Sequence, residues 1–96
     1  MLLPPLKLRE IVEDTQFADE LQELEPDAIR ADEFVDGAKW VLSHSPEYGT
    51  LSGKKVWFLP MGRSNAGRSL VLYYSFNADY VFFLSIQIAT DEESEE

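Results

Sequence analysis

Hydrophobic and polar positions along the chain change period once, near residue 46, and that change divides its organisation. Residues 6–13 (Leu-Lys-Leu-Arg-Glu-Ile-Val-Glu) open with strict alternation, which predicts a short strand. Asp14 and Thr15 follow, with side-chain oxygens suited to the first free N–H groups of a helix. Phe17, Leu21 and Leu24 then fall at i, i+4 and i+7, one face of that helix. Glu25-Pro26-Asp27 ends it and begins the next, because proline is tolerated in a first turn. Over residues 27–44, Ala31, Phe34, Val35, Ala38, Val41 and Leu42 make an amphipathic stripe. Gly37 interrupts the stripe at a cost of about 1 kcal/mol relative to Ala, so packing must stabilise this helix. Two helices joined by three residues imply an antiparallel helical hairpin.

From Pro46 the pattern turns to glycine punctuation and β-forming residues. Residues 55–59 (Lys-Val-Trp-Phe-Leu) read as a strand, residues 62–67 as a polar loop, and residues 69–76 as a second strand. Asn77-Ala78-Asp79 signals a tight turn into a third strand over residues 80–88. That strand alternates at its end, with Phe82, Leu84, Ile86 and Ile88 expected on one face and Ser85 and Gln87 on the other. The predicted fold is therefore α+β, in the order β-α-α-β-β-β. A two-helix hairpin packs on a small antiparallel sheet, and the first strand joins the edge or returns beside a meander strand. The domain covers residues 1–90, and residues 91–96 are expected to fray as an acidic tail.

Composition narrows the class. Ninety-six residues make one domain, and 45% hydrophobic with 12% aromatic content is globular rather than disordered. The absence of cysteine excludes disulfides and thiolate metal sites. The apolar stretch before Pro4 and Pro5 is too short for a signal peptide, and no apolar run approaches membrane-spanning length, so the expected location is cytoplasmic with no membrane partner. The net charge is −10, unevenly placed. Residues 1–50 carry −8 and residues 89–96 carry −5, while residues 51–88 carry +3 from Lys54, Lys55, Arg63 and Arg68 against Asp79. The whole chain would be repelled by nucleic acid, but that one stretch would not.

The segment from Pro46 through Gly49, Leu51 and Gly53 to Trp57 closes a helix and opens a strand. It resembles the proline-glycine-leucine-glycine segment of toxins of the RelE/ParE superfamily, from type II toxin–antitoxin systems. Arg68 leading a strand that reaches Tyr73 and Tyr74 is similar too, as is the apolar strand from Tyr80 to Ile88. The resemblance covers about residues 6–90. It implies a cognate antitoxin as partner and no cofactor. In the RelE branch it implies ribosome-dependent endoribonuclease action on messenger RNA; in the ParE branch, gyrase inhibition without hydrolytic residues. The chain departs from the ribonuclease pattern in its acidity, in a last strand running from Gln87 into acid, and in Trp57, Phe58 and Leu59 where an arginine is common.

The basic residues are the leading site candidates. Cleavage of RNA by its own 2′-hydroxyl needs charge stabilisation on phosphate, a base and an acid, and arginine's planar fork suits the first task. Arg68 and Arg63 are expected to hold phosphate, Lys54 and Lys55 to assist in nucleic-acid binding, and Tyr74 to complete the catalytic set. The competing reading makes these bases solvated strand ends that deter edge pairing. Tyr73, Tyr74 and Tyr80 can stack bases or transfer a proton, but aromatic residues also fill cores. His44, the sole histidine, is expected to cap the second helix rather than catalyse, and it makes no metal site alone. Residues 62–69 (Gly-Arg-Ser-Asn-Ala-Gly-Arg-Ser) mimic a phosphate-binding loop but lead into strand composition instead of a helix, which excludes that motif. The helix acids form a solvated face, and Trp40 and Trp57 belong to core or interface. Two functional readings result: an RNA-cleaving RelE-like toxin, or a non-catalytic interaction protein on the same fold. The acidic tail is expected to shield the Lys54/Arg63/Arg68 patch.

Overall fold

A computed structural model describes residues 8–89. Its elements are β1 (Glu10–Glu13), α1 (Thr15–Leu24), α2 (Ala28–His44), a 3-10 turn (Pro46–Tyr48), β2 (Thr50–Gly53), β3 (Val56–Arg63), β4 (Ser69–Phe76) and β5 (Tyr80–Ile88). This is the expected α+β arrangement with one further strand, β2. The five strands lie in the order β1-β5-β4-β3-β2. The sheet is mixed rather than purely antiparallel: β1 runs parallel to β5, with Ile11 opposite Val81, and the other pairings are antiparallel. A helical crossover from β1 permits that parallel return, which a tight turn does not. Of the strand expected over residues 6–13, the described part begins at Glu10, and residues 6 and 7 lie outside the described range.

The first helix begins as its sequence predicts, whereas α2 begins at Ala28, so Pro26 precedes the helix instead of lying in its first turn. Asp14 caps α1 by accepting from Gln16 N–H at 2.9 Å, and Asp27 caps α2 by accepting from Ile29 and Arg30 N–H. Phe17 and Leu21 from α1 meet Ala31, Val35, Ala38 and Leu42 from α2 in one core with Leu59, Leu70, Leu72, Tyr74, Val81, Phe83 and Ile86. Both helices therefore cover the same face of the sheet. Phe17 and Phe83 meet edge to face at 5.3 Å, fastening α1 to β5.

Two bulges correct the expected register. In β5 the sequence alternation placed Phe82 and Leu84 in the core; instead Val81 and Phe83 are fully buried, while Phe82 and Leu84 are half-buried. The pairing slips between Phe83 and Ser85, so Ile86 returns to the buried face. Ser85 is buried beside it, and Glu20 of α1 satisfies the bulge by accepting from Ser85 Oγ at 2.7 Å and Ile86 N–H at 3.1 Å. In β3 a second bulge falls between Pro60 and Gly62, with Gly62 at φ 97°. The strand consequently continues to Arg63, past the point where a polar loop was expected, and the loop shrinks to residues 64–68. Pro60 is tolerated because β2 pairs β3 only as far as Phe58, so its missing N–H falls where β3 is an edge.

Candidate nucleic-acid interface

Alternation along β3 and β4 sorts their side chains between two faces. Trp57, Leu59, Leu70, Leu72 and Tyr74 go to the helices, and Phe58, Val71 and Tyr73 to the other side. Phe58 and Tyr73 are cross-strand partners whose rings lie 6.4 Å apart. Farther along that face, Tyr80 and Phe82 pair at 5.9 Å. The helix layer is acidic, with Asp19, Glu23, Asp32, Glu33 and Asp36 all exposed. The protein thus has an acidic helical side and an aromatic, half-buried sheet side.

The four bases singled out in the sequence do not form one cluster. Lys54 and Lys55 make the two-residue turn between β2 and β3, both exposed, with Lys55 in the left-handed region at φ 61°. Arg63 ends β3 and Arg68 precedes β4, at the other end of the same strand. Eight residues separate Lys55 from Arg63, roughly 26 Å at the usual strand rise. Strand length, invisible while residues 62–67 read as loop, sets this separation.

Arg63 and Arg68 do lie together, since Arg63 pairs with Ser69 across the hairpin. Arg63 Nη1 donates to Gly67 O at 2.8 Å, closing the loop on itself, and Ser64 N–H donates to Arg68 O at 2.9 Å. Arg30 joins them from α2, donating from Nη2 to Arg63 O at 2.6 Å while its guanidinium lies 5.1 Å from the Phe34 ring centroid. Nothing in the sequence joins Arg30 to a hairpin 33 residues away; tertiary packing alone does so. The carboxylates nearby are already engaged. Glu25, buried, accepts from Asn65 N–H at 2.7 Å and Asp27 N–H at 3.3 Å. Asp27 accepts from Asn65 Nδ2 at 3.1 Å. Asp27's carboxyl is held below the usual carboxylate range, chiefly by the Arg30 backbone N–H. Among the described residues, neither Arg63 nor Arg68 forms an ion pair.

Tyr74, expected in a catalytic role, is a core residue. Its side chain is fully buried, and its hydroxyl donates to Pro46 O at 2.5 Å and accepts from Gly49 N–H at 3.0 Å. Burial raises its pKa above the ordinary phenol value. Both hydrogen-bonding roles of the oxygen are filled from within the chain, leaving none for a substrate. Tyr73, its neighbour on the opposite face, is the accessible phenol of the pair. His44 stacks on Trp40 with centroids 4.5 Å apart, and its Nδ1 lies 2.6 Å from Trp40 O at the end of α2, the capping position expected of it. Among the described residues no group of three or more His, Asp or Glu is placed to hold a metal ion. No helix among them is long and apolar enough to cross a membrane.

Fold and surface together define a small α+β domain with an acidic helical layer and an aromatic sheet face bounded by bases. Comparison with protein-family models and with curated proteins finds no match.

Proposed function

We propose that this chain is an RNA-directed module of the RelE/ParE-like kind, which lays single-stranded RNA across the open sheet face. Phe58 and Tyr73 are the stacking platform, Lys54 and Lys55 hold phosphates at one end, and Arg63 and Arg68 hold them at the other. The observation that carries this reading is the Phe58–Tyr73 ring pair, on the face turned away from the acidic helices. Base stacking on aromatic side chains tolerates any sequence, and bases flanking the platform neutralise the backbone. The span between the two basic ends suits a stretch of about four to eight nucleotides.

Ribosome-dependent cleavage of messenger RNA, the activity of the RelE branch, would require Tyr73 for proton transfer, since Tyr74 is sealed. Anisotropy with a labelled single-stranded RNA of about ten nucleotides tests binding. F58A and Y73A are each expected to weaken it about 5- to 100-fold, and equal binding by wild type and both variants would overturn the proposal. Translation and growth after induction, with and without R68A, test the toxin activity.

The exposed acids on the helix layer favour a second reading: a non-catalytic interaction protein whose helices meet a basic protein partner, such as the basic segment of an antitoxin. Protein captured in a pull-down that is insensitive to ribonuclease supports this reading. Recovery of nucleic acid alone excludes it.

A further inference from the structure

The two edges of the sheet are protected unequally. β1, at one edge, begins and ends on carboxylates, Glu10 and Glu13. Paired antiparallel with another β1, it would set each of these acids against an acid, which deters association. β2, at the other edge, consists of Thr50, Leu51, Ser52 and Gly53, with no charged side chain. All four residues are exposed, Leu51 by 56%, and Tyr48 just before them by 69%. A strand pair without a buried face is marginal in water. As in any edge strand, half of the N–H and C=O groups of β2 point away from its one neighbour, β3.

The two ends of β2 carry opposite charge. Glu47 precedes the strand and Lys54 and Lys55 follow it, all exposed, and among the described residues none of the three is in an ion pair. Residues 91–96, expected from the sequence to shield these bases, lie outside the described range. Within one chain the strand itself keeps Glu47 apart from the lysines. A second copy laid antiparallel reverses the order, so its Lys54 and Lys55 fall beside Glu47 and Tyr48, and its Glu47 falls beside Lys54 and Lys55. From this self-complementarity we propose that β2 pairs antiparallel with β2 of a second copy of this chain, across a two-fold axis perpendicular to the sheet. Every contact then occurs twice, as an isologous interface requires. Backbone hydrogen bonds and the covering of Leu51 hold the copies together, while the charges at the rim fix their orientation. The five strands of each copy join into one continuous sheet, with both helix layers on one side and both Phe58–Tyr73 pairs on the other. The dimer does not rest on the RNA reading.

Analytical ultracentrifugation of the full chain tests the dimer at about 0.15 M salt, where charges more than about 8 Å apart are screened. An interface this small is weak, so the mass is expected to rise toward twice the monomer between about 10 μM and 1 mM protein. E47K, and separately K54E/K55E, set like charges across the axis, and each is expected to weaken dimerisation about tenfold. The combined variant E47K/K54E/K55E restores opposite charges between copies and is expected to return to within about threefold of wild type. Such recovery cannot arise inside one chain, where these residues sit at opposite ends of β2. A second measurement uses the absence of cysteine from the chain. S52C is expected to give a disulfide-linked dimer under mild oxidation, and V12C, on the edge strand β1, is not. A monomer at every concentration would overturn the proposal. So would a dimer unaffected by either charge reversal or not recovered in the combined variant, and so would V12C cross-linking as readily as S52C.

Discussion

The hydroxyl of Tyr74 accepts from the backbone N–H of Gly49 at 3.0 Å, in a contact so close that a Cβ at position 49 would lie 2.5 Å from both that oxygen and Phe58 O. Glycine is required there by proximity rather than by an unusual backbone angle. The turn Pro46–Tyr48 is pinned to β4 by the same hydroxyl, which also donates to Pro46 O.

Tyr74→Phe should therefore cost about 1–3 kcal/mol, because it strands a buried carbonyl and N–H. Gly49→Ala should cost about as much through overpacking. Urea denaturation measures both. The pH dependence has a definite sign. The unfolded phenol ionises near pH 10, and burial keeps the folded one protonated to higher pH. Tyr74's contribution is thus complete below about pH 10 and is lost as pH rises through its raised folded value. Wild type should lose stability across that window more steeply than Tyr74→Phe.

Glu25 links the α1–α2 connection to the β3–β4 loop through Asp27 N–H and Asn65 N–H. Glu25→Ala leaves both part-buried donors without their acceptor and should cost about 1–3 kcal/mol. Glu25→Gln keeps the volume and one acceptor oxygen, and should cost roughly half as much. Thermal melts together with amide exchange at Asn65 would register the loss, with local opening of the loop in the alanine variant.

Asp27 has the opposite sign of linkage to Tyr74. Its folded carboxyl is held low by Arg30 N–H, with Asn65 and Ile29 assisting. Its stabilisation is present above the unfolded value near pH 4 and is lost as pH falls through the lowered one. Asp27→Ala should melt below wild type at pH 7, and the two curves should converge in acid. Asp27→Asn retains a cap but not the charge, and should flatten the acid limb while remaining closer to wild type at neutral pH.

Lys55 holds φ 61°, a region that disfavours any residue with a Cβ. Lys55→Gly should stabilise the protein by about 0.5–1 kcal/mol, while removing one of the four bases assigned to RNA. Its binding should weaken modestly, and the slope of log affinity against log salt should become shallower by about 0.7. Arg63→Ala should reduce the slope by the same amount. A stabilised Lys55→Gly protein with an unchanged salt slope would show that Lys55 makes no phosphate contact.

Local chemistry made the helices legible in advance. Asp14 had cap chemistry, and the stripes through Phe17, Leu21, Val35, Ala38 and Leu42 had helical spacing; both signals act within a few residues, so sequence alone determined them, whereas the cap by Asp27 emerged with the structure. The α+β order and the turn at Asn77–Asp79 followed in the same way, from punctuation and β-forming composition. The bulges were not legible, because an extra residue is recognised only against its partner strand, and Leu84 looks like an ordinary core position until Tyr73 and Tyr74 fix the register. Position along a strand was hidden for the same reason, so Lys54 and Lys55 fell at the opposite end of β3 from Arg63. Tyr74 and Arg30 were decided later still, by contacts across 28 and 33 residues. Which tyrosine faced the core, and which arginine reached the hairpin, depended on packing energies that do not exist until the helices and the sheet have met.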